Sequence, residues 1–162
     1  VLQMNNMDFG DNSELIGSNT QPIQLTSAGI KTNVKFDQRA FNITRKSLVE
    51  ASSSQIPDQV YLQLENVTGN IDANILSVSV NEKTVGDVSL FGLRTASKKD
   101  DHHAGEGLTF ILNITNVIDD LHLENLLDSN SLDVTISPSN EVSDNQEVTV
   151  GRVSVYREQQ NL

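Results

Sequence analysis

The chain has 162 residues, enough for one domain that buries about 70% of its unfolded surface. Its 22 acidic against 11 basic residues leave a net charge of −11, which sets it against nucleic acid and anionic membrane surfaces, since both need clustered Lys and Arg. The absence of Cys rules out disulfides, thiolate metal sites and cysteine nucleophiles, while the absence of Trp and an aromatic content of 4% leave Val, Ile and Leu to build the core, a composition that favours pleated sheet.

Residues 1–18 mix Asn, Asp, Gly and Ser with scattered apolar positions. They are read as a linker or docking segment that makes contact through Leu2, Met4, Met7 and Phe9, or equally as a frayed terminus. No basic stretch followed by an apolar run marks a secretory signal, and the opening reads as the cut end of something longer. Residues 19–162 are read as a single β-sandwich domain. Pro22 to Thr26 and Gly29 to Asp37 predict two strands around a turn at Ser27 to Gly29, the second placing Ile30, Thr32, Val34 and Phe36 on one face. Thr44 to Pro57 is a long polar connection with one helical turn at Lys46 to Ala51.

The strongest alternation follows. Gln59 to Thr68 sets Val60, Leu62 and Leu64 against Tyr61, Gln63 and Glu65 and breaks at Gly69-Asn70; Asn74 to Asn81 sets Leu76, Val78 and Val80 against Ser77 and Ser79. Val85 to Leu93 carries Gly86 and Gly92, marks of a bulge or close backbone approach, and predicts a strand that bends. Arg94 to Gly107 is a charged loop, after which Leu108, Phe110, Leu112 and Ile114 point inward. Residues 116–127 form the short helix, with Val117, Ile118, Leu121 and Leu126 at near-helical spacing and Thr115 or Asn116 as its cap. Leu132 to Ser137 and Glu147 to Arg157 close the series, with Gly151 shifting the alternation by one. About eight antiparallel strands with long polar connections predict an all-β sandwich or jelly-roll.

Catalytic patterns are missing. His102 and His103 are adjacent and so do not share a strand face, and His122 has no histidine three or four residues on, so no standard zinc or copper spacing is present. Asp72, Asp100-Asp101 and Asp119-Asp120 lack the register of a calcium loop, and there is no nucleophile elbow, phosphate loop or dinucleotide fingerprint. The triplets at Asn42, Asn66 and Asn113 fit the glycosylation acceptor pattern by composition alone. No apolar run reaches membrane-spanning length, and nothing in the sequence fixes the compartment.

Several stretches in order carry a resemblance. ELIGSNTQPIQLT and VYLQLENVTG, then VSLFGLRTASKKDDHHAGEGLTFILNITNVIDDL, then VTVGRVSVYR, together resemble the C-terminal β domain of bacterial tyrosinases and, more loosely, of plant polyphenol oxidases, from about Glu14 to Arg157. The resemblance implies a non-catalytic accessory domain without a cofactor of its own, whose partner domain holds a pair of copper ions on six histidines. It also implies packing over the copper entrance, latency until cleavage or displacement and, in some members, help with folding or copper loading. A side chain often projects into the partner's pocket as a placeholder; Phe9, Phe41 and Leu93 are the candidates, although Phe41 and Leu93 also read as core. In that setting His102 and His103 become weak candidates for copper in transit. The rival reading is a free-standing carbohydrate-binding or adhesive β-sandwich, for which Tyr61 and Tyr156 would be the sole Trp or Tyr platforms. An enzyme in its own right would need a carboxylate pair facing across a cleft.

Overall fold

The computed structural model describes residues 13–37, 39, 59–99, 105–124 and 131–158. Its strands are β1 (Ser13–Ser18), β2 (Ile23–Gln24), β3 (Ile30–Phe36), β4 (Gln59–Thr68), β5 (Ile75–Val80), β6 (Lys83–Ser89), β7 (Leu108–Asn113), β8 (Ser131–Pro138) and β9 (Thr149–Glu158); the helices are α1 (Leu93–Ala96) and α2 (Thr115–Leu123). All nine strands join one sheet in the order β6-β5-β8-β3-β1-β9-β4-β7, with β2 also on β9. Every pairing is antiparallel. The two end strands approach each other, a Cβ placed on Gly86 of β6 lying 3.4 Å from the Leu112 side chain of β7, so the sheet curls into a nearly closed barrel. The all-β antiparallel expectation therefore holds, with one curled sheet where two facing sheets were expected.

Period-two alternation explains which side chains fill the barrel. Val60, Leu62 and Leu64 of β4, Leu76, Val78 and Val80 of β5, Leu132, Val134 and Ile136 of β8, and Val153 and Val155 of β9 are all buried. Each fully buried aliphatic side chain contributes roughly 1.5–3 kcal/mol. The two ten-residue strands β4 and β9 pair along their length and form the backbone of the wall. Gly151 shifts the phase as its position predicts: Val150 and Val153 are both buried although three residues apart. The same flip occurs opposite it, where Leu64 and Val67 are both buried and Asn66 between them has φ 53°. Gly86 likewise marks a bulge, with the β5–β6 register shifting between Val78 and Ser79.

Some elements differ from expectation. Ser13–Ser18, placed in the linker by composition, is a strand in the middle of the sheet between β3 and β9, with Ile16 1% exposed. A register shift between Leu15 and Gly17 breaks its alternation, which hides the strand in the sequence. Leu2, Met4, Met7 and Phe9 lie outside the described residues, as does the helical turn at 46–51. The bending strand stops at Ser89 rather than Leu93, and α1 forms inside the stretch read as a charged loop. Thr115 is the first residue of α2 and not its cap: Asn113 Oδ1 accepts the Thr115 N–H at 3.0 Å, freeing the Thr115 hydroxyl to accept the buried Val60 N–H at 2.8 Å. This hydroxyl latches the helix to β4. Beyond Glu124 the expected end of the helix lies outside the described residues.

Candidate interaction surface

The turn that follows β6 is built around two inward leucines. Leu90 and Leu93 are both 0% exposed, and bringing two side chains three residues apart into one core requires a tight backbone reversal. Gly92 supplies it at φ +83°, a left-handed conformation that costs a residue with a Cβ about 1–2 kcal/mol. Phe91, caught between the two, is turned outward and is 80% exposed. Leaving it there forgoes roughly 1.5–3 kcal/mol of burial.

The frame beneath Phe91 is well tied. Leu90 N–H donates to Asn74 O at 2.8 Å, Gly92 N–H to Asp72 O at 3.2 Å, Leu93 N–H to Leu90 O at 2.9 Å and Arg94 N–H to Ile71 O at 3.1 Å. Ser89 Oγ accepts the Phe91 N–H at 3.2 Å. Asn74, 4% exposed, extends the frame: its Oδ1 accepts the Ile75 and Asn140 N–H groups at 2.8 and 3.2 Å, and its Nδ2 donates to Asn140 O at 3.1 Å. Ile75, the next residue, is 47% exposed and adds a second apolar side chain at this end of the barrel.

Charged residues follow the aromatic in the chain. Arg94 Nε lies 3.3 Å from Asp72 Oδ1, both side chains being well exposed, and Arg94 and Lys98 line an open recess of about 350 Å³ together with Asn70, Ser97 and Glu147. Ser97 is held in place by donating to Leu93 O at 2.7 Å and accepting the Gly69 N–H at 3.0 Å.

Leu93, which the sequence offers either as a contact residue or as core, is a core plug; the exposed side chain is Phe91, two positions earlier. Sequence reading passes over Phe91 because Val85 to Leu93 looks like one strand, whereas the strand ends at Ser89 and the turn through Gly92 leaves Phe91 facing out. Phe41, His102 and His103 lie outside the described residues. Among the described residues, no group of three or more His, Asp or Glu side chains gathers where a metal ion could bind.

Two other polar clusters occupy the outer wall. Glu65 Oε2 accepts hydrogen bonds from Arg152 Nε and Ser154 Oγ, each at 2.6 Å, and this bond holds the Arg152 guanidinium above its ordinary pKa. The carboxylate is thereby committed to structure. Asp133 and Glu82 border an open groove of about 380 Å³ across β3 and β8, where Asn33 Nδ2 donates to Asp133 Oδ1 at 3.0 Å. Burial, and then the neighbouring Glu158 charge, raise the Tyr61 phenol above its usual pKa.

Comparison with known proteins places this geometry in context. The family described as "Domain of unknown function (DUF7868)" matches residues 12–158. Tyrosinase HcTyr1 of Hahella sp. (strain CCB-MM4) is 29% identical over 117 residues, covering 72% of this chain and 23% of that protein. The solved structure of a recombinantly expressed latent aurone synthase (polyphenol oxidase) shares the fold, with a TM-score of 0.57 at 14% identity over 88% of this chain and 26% of that one. The chain thus spans about a quarter of the length of each of these relatives.

Proposed function

We propose that this chain, which belongs to the DUF7868 family, is a non-catalytic accessory domain of a tyrosinase-like copper oxidase, and that it shields the active site of the catalytic domain. The similarity to a quarter of a tyrosinase and the shared fold with part of a latent polyphenol oxidase support the parentage. The observation that carries the shielding role is Phe91, an aromatic side chain 80% exposed on a turn whose backbone is fixed at five hydrogen bonds. A rigid turn presenting one apolar side chain can enter a recess without an ordering cost, which is what a reversible cover needs. Copper belongs to the partner in this reading. The chain's own work is to exclude substrate from the entrance, and in a secondary role to assist folding or copper loading.

Expressing the tyrosinase-like catalytic domain with and without this chain tests the proposal. Lower diphenol oxidation with the chain present, at equal copper content, is the expected result. Equal activity and equal copper in both preparations overturn it.

A further inference from the structure

We infer that the outer wall of the barrel carries a carbohydrate platform, on which Tyr61 and Tyr156 take the apolar face of a neutral, β-linked pyranose chain while polar side chains on both flanks bond its hydroxyls. The platform is independent of the shielding role. Tyr61 of β4 and Tyr156 of β9 stand directly opposite each other in the antiparallel register, and Leu15 of β1 stands opposite Tyr156 on its other side. Residues paired in this way share one face of the sheet. It is the outer face, because Val60, Leu62 and Val155, their neighbours along the strands, point inward and are buried. The row also lies far from Phe91, whose turn is tied to Ile71 and Asp72 beyond the opposite end of β4. Strand rise alone separates Tyr61 from that end by about 20 Å.

Polar pairs border the row on both sides. Two residues along the strands in one direction the opposed pair is Gln59 and Glu158, and in the other it is Gln63 and Ser154. The Gln63 amide is half-buried and has no hydrogen-bond partner among the described residues, so it offers both a donor and an acceptor. Gln59 uses its Oε1 to accept from Asn113 and Thr115, which keeps its Nε2 available as a donor. Arg152 Nη2 donates to the Tyr156 hydroxyl at 3.3 Å and steadies that ring. A sugar ring has the matching anatomy, a C–H face edged by hydroxyls, and is held by an aromatic surface with a few placed polar groups beside it.

Size and charge select this occupant. Leu15, Tyr61 and Tyr156, none of them fully buried, expose on the order of 200 Å² between them, against about 800 Å² per partner in a stable protein interface. Strand spacing sets the row across about 10 Å, the reach of about two pyranose units. The net charge of −11, with Glu158 at the flank, disfavours an anionic polysaccharide.

Tyr61 and Tyr156 are the only tyrosines and the chain has no Trp, so its tyrosine emission comes from the platform itself. Titrating the full chain with cellohexaose and, separately, with chitohexaose should change that emission saturably for at least one of them, with a Kd between about 10 μM and 1 mM. Hexagalacturonate, an anionic chain, should bind about tenfold more weakly. In calorimetry Tyr156→Ala should weaken binding about three- to tenfold and Gln63→Ala about threefold, while Phe91→Ser at the far end should leave it unchanged. No saturable binding of either neutral hexasaccharide up to about 10 mM overturns the assignment, as does hexagalacturonate bound as tightly as they are. Affinity unchanged by Tyr156→Ala also overturns it, with Gln63→Ala deciding should the first variant fail to fold. A concentration-dependent dimer that Tyr156→Ala dissolves assigns the row to a second copy of this chain instead. Equal diphenol oxidation with and without the chain would remove the shielding role and leave the platform standing.

Discussion

The β4–β9 wall and the turn around Phe91 obey opposite rules. Along the wall, the apolar residues of the inner face are buried, and the outer carboxylate of Glu65 is matched by Arg152 and Ser154. On the turn, an aromatic side chain is held in solvent by a backbone as firmly tied as the wall itself. Exposure there is therefore a product of the framework and not of slack in it. The contrast separates residues that make the barrel from a residue that the barrel displays, and substitutions on each side of the line should behave differently.

The largest effect belongs to the framework. Gly107 enters β7 at φ +75°, and a Cβ on it would lie 1.9 Å from Val67 O, so Gly107→Ala should cost about 4 kcal/mol or more and leave no folded protein detectable by circular dichroism. Leu93→Ala should lower stability by about 2–5 kcal/mol in urea titration, whereas Phe91→Ser should stay within about 0.5 kcal/mol of the wild type. That pair tests the contrast within three residues: equal losses at both positions would mean that Phe91 belongs to the core after all. Thr115→Val removes the acceptor of the buried Val60 N–H and should cost about 1–3 kcal/mol, measurable as a lower thermal midpoint.

The smallest effect is a pH dependence on the outer wall. The Tyr61 pKa is raised above 10.0 in the folded chain, so the unfolded chain loses this proton first as the solution becomes alkaline. The stability it contributes is complete below about pH 10 and is lost as the pH rises through the folded value. Tyr61→Phe should therefore flatten the decline in urea midpoint between about pH 9 and 11. An unchanged decline would show that Tyr61 is as solvated as a free phenol.

Much of the wall is legible in the sequence because alternation with β-branched residues records burial directly. Val60, Leu62 and Leu64 announce β4, and Gly151 announces the phase shift between Val150 and Val153. β1 is hidden by its bulge: Leu15 is 42% exposed while Ile16 beside it is buried, and no period of two survives across six residues. The exposure of Phe91 was not legible in the sequence. The family resemblance calls for an apolar or aromatic side chain on an exposed loop without saying which, and telling Phe91 from Leu93 needs the left-handed turn at Gly92, a property of the folded backbone. The extent of the barrel was likewise out of reach, because closure depends on strand order, and local sequence does not record which strands become neighbours.

Under the shielding role proposed above, the most direct measurement of the central claim is diphenol oxidation by the proposed tyrosinase-like protein carrying Phe91→Ser in this chain, compared with wild type at equal copper content. The account predicts higher activity with an unchanged melting temperature. Activity that remains at the wild-type level in a protein of equal stability would contradict it.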